Sequence, residues 1–252
     1  MIIDNICFSL SFERIQNFRQ QILDIEKKLG DHFITPLNIL PIPDDAPPEI
    51  PRIIARSKQN HTELIVSSNN LQISTKFDDN YNKKIDKCFE YMVNIINTTI
   101  NSFSFFLDDK FLCAGIVSRI ISTQEDPMKF LEEKFINIKS NKEPFNFTEK
   151  VVYVIDDKYY VNFQIFNLRT YEGKVNANNR PILSQSKHNL CIEIDINDKY
   201  GFNNDEKHIC NENTIIDITN KAKQSININI EKILKGECLE LWWFVIYRKL
   251  IL

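Results

Sequence analysis

A weak internal repeat constrains the fold of this chain more than any other feature of its sequence. Residues 70–81 align without gaps with residues 189–200, and five of the twelve aligned pairs are identical. Each copy has the pattern of a strand and a turn that lead into a long helical segment. Such a repeat is typical of a duplicated structural unit. The sequence therefore predicts two successive αβ units of similar design.

The low glycine content excludes the common nucleotide-binding and hydrolase motifs. The chain has 252 residues and only 5 glycines, and it contains no GxGxxG, GxxxxGK[ST] or GxSxG pattern. Those motifs need glycine where the backbone turns sharply or approaches a ligand closely. The composition, with 43% hydrophobic and 26% charged residues, is that of a globular protein. No cofactor is predicted, and a non-enzymatic function is favoured.

The charge balance disfavours nucleic acid as a partner. The net charge is −3, from 31 Lys and Arg against 34 Asp and Glu, whereas phosphate binding depends on a basic excess. The sequence shows neither a secretory signal pattern nor an apolar run long enough for a membrane span. We therefore expect a cytoplasmic protein with no transmembrane segment, in which the six scattered cysteines are reduced and buried.

Apolar periodicity predicts the elements of the first unit, residues 1–101. Strands are expected at residues 6–12, 52–57, 62–67 and 71–75, with a further short strand within 33–40, and helices at 13–29 and 80–100. Six of the nine prolines lie in residues 36–51, which predicts an extended passage there. The second helix should bury a stripe formed by Ile85, Phe89, Met92 and Ile96.

The second unit, residues 102–236, shows a similar order of patterns. Strands are expected at residues 103–107, 111–121, 151–155, 159–168 and 190–196, a polar loop at 172–187, and helices that begin at Asp126-Pro127 and at about residue 213. The last helix should bury Ile215, Ile218, Ala222 and Ile226. The predicted fold class is therefore α+β. It consists of two tandem β-α-β-β-β-α units with antiparallel sheets covered by long helices, related by a pseudo-two-fold axis and fused into one compact domain.

An apolar, aromatic segment follows the second unit at residues 237–252 and contains both tryptophans. Three interpretations stay open at this stage: it closes the core, it forms an oligomeric interface, or it anchors the chain at a membrane surface. Dense aromatic residues are frequent in interface cores. We expect self-association or a protein partner, with an interface that includes Trp242, Trp243, Phe244 and Tyr247.

Four residues are candidates for binding. Arg169 and Tyr171 follow an aromatic strand, where an Arg and a Tyr can bind an anion or a carboxylate of a partner. Arg52 and Arg56 lie on a predicted strand of the first unit. If the sheet formed a saddle, Arg52, Arg56, Lys76 and Arg169 could contact phosphates, which makes nucleic-acid binding an alternative function.

Two further groups of residues suggest metal chemistry. Glu193, Asp195 and Asp198 lie within six residues at a strand end, and such acids hold divalent ions in nucleases and nucleotide-processing enzymes. They form the alternative enzymatic hypothesis, against an exposed strand face that ends in a turn. His188, Cys191, His208 and Cys210 have the right side chains for zinc but the wrong spacing, because Cys191 lies inside a predicted strand.

Three short motifs carry a resemblance to a known family. Residues 45–51 read Asp-Ala-Pro-Pro-Glu-Ile-Pro, residues 163–168 Phe-Gln-Ile-Phe-Asn-Leu, and residues 192–198 Ile-Glu-Ile-Asp-Ile-Asn-Asp. With the whole-chain layout, they resemble a sporadically distributed, functionally uncharacterised family of bacterial proteins of about 250 residues. This resemblance implies no activity, so no catalytic residue is carried over. The order of elements is also similar to the duplicated saddle of the TATA-binding protein.

The function expected from the sequence is a non-enzymatic interaction or accessory module. It would act as a homo-oligomer or a complex subunit, with a bacterial defence or stress locus as its candidate setting. The metal-dependent enzyme and the nucleic-acid-binding saddle are the two alternatives, and each depends on whether its residues meet on one surface.

Overall fold

The computed structural model describes residues 1–15, 22–43, 45–107, 111–136, 140–142, 144–175, 181–237, 239 and 241. Its strands are β1 (Ile2–Ser11), β2 (Asn38–Ile39), β3 (Ile53–Arg56), β4 (Thr62–Val66), β5 (Asn70–Lys76), β6 (Cys113–Ser122), β7 (Thr148–Ile155), β8 (Tyr159–Val175) and β9 (Pro181–Asn197). Its helices are α1 (Ile22–Leu29), α2 (Ile85–Leu107), α3 (Pro127–Phe135), α4 (Lys199–Asn204) and α5 (Glu212–Lys235).

The nine strands form one antiparallel sheet in the order β2-β3-β4-β5-β1-β6-β9-β8-β7. The central strands β1 and β6 pair directly, with Cys7 opposite Val117. All other strands of residues 1–101 lie on one side of this central pair, and the later strands lie on the other. The protein is therefore an α+β protein in which the strands of both predicted units belong to a single open sheet.

One side of the sheet, hereafter the core face, is covered by helices. Alternate residues of the central strands are fully buried there, for example Phe8, Ile73 and Ile192, as the two-residue period of a strand requires. The predicted helical stripes are confirmed: Phe89, Met92, Ile96, Ile215, Ile218, Ala222 and Ile226 are all buried, and Ile85 packs against them. Burial of these apolar side chains is the main source of stability.

The helix ends follow local capping rules. The Asp126 side chain accepts a hydrogen bond from the Lys129 amide at the start of α3, and Pro127 occupies the first turn, as the sequence predicts. Asn211 caps α5 in the same way, and Gly236 ends that helix with a left-handed φ of 69°. No described helix is long and apolar enough to cross a membrane.

Three element predictions are wrong at their boundaries. Residues 13–15 of the predicted first helix are not helical, because the amides of Phe12 and Ile15 bond to carbonyls of the turn after β4; residues 16–21 lie outside the described residues, and the described helix is Ile22–Leu29. The second helix begins at Ile85 and continues to Leu107, so the strand expected at residues 103–107 does not form. Short apolar runs are compatible with either structure, and here Phe103 completes the buried helical stripe.

The polar loop expected at residues 172–187 is also wrong. β8 and β9 are 17 residues long each and continue their pairing to Val175 opposite Pro181, with a register shift between Thr170 and Tyr171. Main-chain hydrogen bonds form this ladder and do not depend on the side chains. A strand with mostly polar side chains therefore shows no apolar alternation in the sequence and is easily taken for a loop. Residues 170–175 and 181–187 are hereafter the hairpin arm.

We expect Ile73→Asp and Ile192→Asp each to unfold the protein. Both side chains are fully buried on the core face, and an unpaired carboxylate there costs several kcal/mol against a total stability of about 5–15 kcal/mol. Circular dichroism during urea titration measures the loss. Ile216→Asp, at a half-exposed position of α5, is the control and should keep the wild-type transition.

Gly115→Ala should lower the free energy of unfolding by about 1–3 kcal/mol, because it overpacks a close strand contact. A Cβ at position 115 would lie 2.8 Å from the Cβ of Asn197, which is directly opposite on β9. The control is Gly173→Ala in the hairpin arm, where the nearest atom, Cδ2 of Leu183, would be 3.8 Å away. Equal stability of the two variants in urea titration would contradict this account.

Candidate functional site

The side of the sheet opposite the core face, hereafter the open face, is lined by polar side chains. Its central positions are half-buried or exposed, and they are Asn5, Cys7, Ser9, Ser11, Gln72, Ser74, Val117, Arg119, Gln164, Glu193 and Asp195. Many of these groups bond to one another: Asn5 Nδ2 donates to Ser74 Oγ at 3.0 Å, and Gln72 Nε2 lies 3.1 Å from Cys7 Sγ. The open face therefore satisfies much of its own hydrogen-bonding capacity.

An ion pair crosses the open face between β6 and β9. Arg119 Nε and Nη2 lie 2.7 and 2.6 Å from Glu193 Oε1, and the two residues are directly opposite in the ladder. Burial lowers the pKa of Arg119, but the hydrogen bond and the charge of Glu193 outweigh it, so that the net pKa is raised. The negative charge of the Glu193 carboxylate is thus balanced by Arg119 within the protein.

Asp195 lies two residues further along the same face, in a group of amides. Its Oδ2 accepts from Asn162 Nδ2 at 3.1 Å, and its Oδ1 accepts from Asn197 Nδ2 at 2.9 Å. Burial raises the pKa of the Asp195 carboxyl, and the Asn197 hydrogen bond and the charge of Lys150 oppose this rise only in part. The neighbours of Asp195 therefore stabilise it as a structural acceptor on the sheet.

Asp198 lies apart from these two acids. Its carboxylate is fully buried where β9 ends, accepts a hydrogen bond from the Ala114 amide at 2.7 Å, and lies 3.0 Å from Nε2 of His208. The structure thus does not bring Glu193, Asp195 and Asp198 together as the enzymatic hypothesis requires. Among the described residues, no group of three or more His, Cys, Asp or Glu side chains is placed to hold a metal ion.

The cysteines of the weak zinc pattern are buried thiols. Burial raises the pKa of Cys191 to about 12, and it also raises the pKa of Cys210. A zinc ligand must be a thiolate. These environments therefore oppose the charge state that zinc binding needs.

Arg52 organises the proline-rich passage. Its side chain is buried, its Nη1 donates to the Ile50 carbonyl at 2.8 Å, and its Nη2 lies 3.3 to 3.5 Å from the carbonyls of Pro43, Ala46 and Pro47. A guanidinium presents several donors in one plane, which suits a cluster of carbonyls. The predicted binding residue Arg52 therefore directs its donors to the protein's own backbone.

The four arginine and lysine residues of the nucleic-acid hypothesis do not share a surface. Arg56 is exposed on the open face and pairs with Glu63 at 3.6 Å, and Lys76 is exposed on the same face. Arg52 lies in the proline-rich passage, and Arg169 pairs with His188 on the core-face side of the sheet. A single phosphate-binding groove therefore cannot use all four.

Arg169 and Tyr171 are brought together on one side of β8, as their two-residue spacing requires. The Arg169 guanidinium lies over the ring of Phe145, 4.3 Å from its centre. Leu183 is opposite Gly173 and so faces the same side of the hairpin arm. The exposed fractions are 62% for Phe145, 46% for Tyr171 and 69% for Leu183. Phe145, Arg169, Tyr171 and Leu183 are hereafter the arm surface.

A polar pocket of about 440 Å³ adjoins the arm surface. It is lined by Glu125, Asp126, Pro127, Pro144, Phe145, Arg169 and His188. Asn167 holds its wall in place, since its Oδ1 accepts from the Phe147 amide at 2.8 Å and its Nδ2 donates to the Phe145 carbonyl at 3.2 Å. No sequence pattern indicates Phe145 as a site residue, because a single aromatic residue in a polar connection has no periodic signal.

The predicted interface residues Trp242, Trp243, Phe244 and Tyr247 lie outside the described residues, and their role stays a prediction. Comparison with known proteins adds no further assignment: no protein-family model matches the chain, and no curated protein shows significant sequence similarity to it. The candidate site therefore rests on the geometry of the arm surface.

Arg52→Lys should lower the free energy of unfolding by about 1–3 kcal/mol, because a lysine cannot satisfy the several carbonyls that the guanidinium reaches. Urea titration measures the change, and limited proteolysis should show earlier cleavage in residues 41–50. Arg56→Lys is the matched control: its ion pair is exposed, so stability should change by no more than about 0.5 kcal/mol. Unchanged stability of Arg52→Lys would contradict the structural role.

Proposed function

We propose that this protein is a non-enzymatic interaction module that acts as a homo-oligomer or as a subunit of a complex, and that the arm surface is where it binds. One observation carries this proposal. Tyr171 and Leu183 are exposed in the hairpin arm, and the exposed Phe145 ring stacks on Arg169, which precedes Tyr171 by two residues on β8.

The composition of the arm surface supports protein binding. Tyr and Arg, together with Trp, are enriched among the few central residues that dominate the binding energy of protein interfaces. An aromatic side chain buries about 150–250 Å² in an interface. Phe145 already stacks on the Arg169 guanidinium, and the backbone of Tyr171 is held by the pairing of β8 with β9, so less conformational entropy is lost when a partner covers them than in an unpaired loop.

The open face is a weaker candidate for the same role. Its amides and hydroxyls bond across strands, as between Asn70 Nδ2 and Ser11 Oγ at 3.2 Å, and its central arginine is paired with Glu193. A partner would have to replace these internal bonds with equivalent ones, which brings little net free energy.

We also propose that the fold arose by duplication of one αβ unit. Counted outward from the centre, the first half has the order β1, β5, β4, β3, β2, and the second has the order β6, β9, β8, β7, so the first half has one additional strand at its edge. In each half the first strand of the unit is central and its last strand lies beside it. The repeated segments 70–81 and 189–200 coincide with β5 and β9 and their exits, which supports the equivalence of Ile73 and Ile192. A large difference in stability between the two aspartate variants would count against it.

Sedimentation velocity of the full chain over a range of concentrations tests the binding proposal. We expect an assembly larger than the monomer, and we expect Tyr171→Ala combined with Leu183→Ser to weaken it by about tenfold or more in Kd, as loss of central interface residues does. The control combines Leu23→Ser and Ile216→Ser, two exposed apolar positions on helices, and should assemble as the wild type does. Circular dichroism confirms that the variants are folded.

A monomer at every concentration would disprove the homo-oligomer and leave the complex subunit as the remaining form of the proposal. A photo-crosslinking residue at position 183, compared with one at position 216, tests that form in an extract of the native cell. A partner captured from position 183 alone supports it. The same set of products from both positions contradicts the assignment of the arm surface.

The resemblance to the bacterial family and the setting in a defence or stress locus stay predictions. The arm surface is independent of both, because it is defined by exposed side chains of this chain alone.

A further inference from the structure

We propose that β7 pairs edge to edge with β7 of a second copy of this chain, in antiparallel orientation about a two-fold axis. β7 lies at one end of the sheet and, in the part of the chain that the structure describes, has a single strand neighbour, β8. The pairing rests on the homo-oligomer form of the proposed function, but not on the arm surface.

The two edges of the sheet differ in how they are protected. At the opposite edge, β2 is two residues long and lies in the proline-rich passage, and short strands and prolines are common ways to block an edge. β7 is eight residues long, contains neither proline nor glycine, and pairs with β8 without a register shift. Its two charged residues, Glu149 and Lys150, lie near its start. β7 therefore lacks the usual protection against a further strand.

The rest of β7 is apolar on both sides. Residues 151–155 read Val-Val-Tyr-Val-Ile, and the exposed fractions are 38% for Val151, 48% for Val152 and 43% for Val154. Val151 is opposite Phe163 on the core-face side, whereas Val152 and Val154 are on the open face. β-Branched and aromatic residues pair favourably across neighbouring strands. A further strand at this edge would therefore bury apolar surface on both sides of the sheet.

The apolar run complements itself in antiparallel orientation, which favours a second copy as the partner. A two-fold axis perpendicular to the sheet pairs the strand with its copy about one central residue and keeps each side chain on its own side. With Tyr153 at the centre, Val152 faces Val154 on the open face. Val151 then faces Ile155 on the other side, so the five apolar residues pair only with one another.

Neighbouring registers fit less well. With the centre one residue earlier, both charged residues of β7 would face apolar ones, and with the centre one residue later, both aspartates of the turn after β7 would face valines. Charged groups opposite apolar ones lose hydration without gaining a partner. The sequence of β7 therefore selects Tyr153 as the centre of the pairing.

The β7 edge continues into the arm surface. Phe145 lies three residues before the start of β7, and the Phe147 amide between them donates to Asn167 Oδ1 of β8 at 2.8 Å. The segment that leads into β7 therefore runs along β8, as β7 does. A second copy that pairs with β7 thus lies beside the arm surface and not on a distant part of the molecule.

Charged substitutions on the open-face side of β7 test the pairing by sedimentation velocity. Because position 152 of one copy faces position 154 of the other, Val152→Lys with Val154→Lys places like charges opposite each other, and Val152→Glu with Val154→Glu does the same. The wild type should sediment as a dimer, and each double variant should have a Kd raised about tenfold or more. An equimolar mixture of the two double variants should dimerise again, since every lysine then faces a glutamate.

The matched control carries the same charges on helices. Leu23→Lys with Ile216→Lys, at two exposed positions, should sediment as the wild type does, and circular dichroism confirms that all variants are folded. A cysteine at position 153 tests the register, because it lies opposite its own copy. On mild oxidation Tyr153→Cys should give about fivefold more disulfide-linked dimer than Val152→Cys, whose copy is too far away for a disulfide. The wild type, with its native cysteines, measures the background.

Three results would overturn the pairing, and they differ in what they mean for the proposed function. A wild-type monomer at every concentration would remove both the pairing and the homo-oligomer. A dimer that both double variants retain would leave the homo-oligomer and its arm surface, but not the β7 contact. Two dissociated double variants whose mixture stays dissociated would show that β7 supports the assembly without pairing with its own copy.

Discussion

The antiparallel pairing of β1 with β6 is the interaction on which the rest of the structure depends. Among the described strands, it is the one place where the sheet of the first half meets that of the second, through a register from Ile2 opposite Ile121 to Ser11 opposite Cys113. Without it, two smaller sheets would each have an unpaired edge. The pairing gives one continuous core face, which the long helices α2 and α5 cover while also contacting each other.

This arrangement determines where binding capacity can reside. Each central strand has a paired strand on both sides, so the charges of the open face find partners within the sheet, as Arg119 finds Glu193 and Asp195 finds two asparagines. At the end of β9, Asp198 joins the Ala114 amide to His208 and ties the chain after the sheet to the central strands. Exposed apolar surface lies instead at the edge of the sheet, in the hairpin arm and beside β7, where fewer helices and strands are available to cover it.

The same contrast explains which of the predicted site residues the fold brings together and which it separates. Arg169 and Tyr171 lie together because two residues of one strand share a side whatever the rest of the fold does. Arg52 lies between the proline-rich passage and β3. Its hydrogen-bond partners are backbone carbonyls, which leave no signal in the sequence. The three acids of the enzymatic hypothesis are close in sequence but lie in different environments. Glu193 and Asp195 are on the open face of β9, whereas Asp198 follows the end of β9 and is fully buried.

By itself, the sequence determined the periodic features of this protein: the alternating strands around Ile73 and Ile192, the buried stripes of α2 and α5, and the start of α3 at Asp126-Pro127. Each of these depends on spacing along the chain and on local backbone geometry. Only the tertiary structure decided the strand order, the length of the hairpin arm, the burial of Arg52 and Asp198, and the meeting of Phe145 with Arg169. Those features arise from contacts between residues distant in sequence, and such contacts leave no periodic pattern for a single sequence to show.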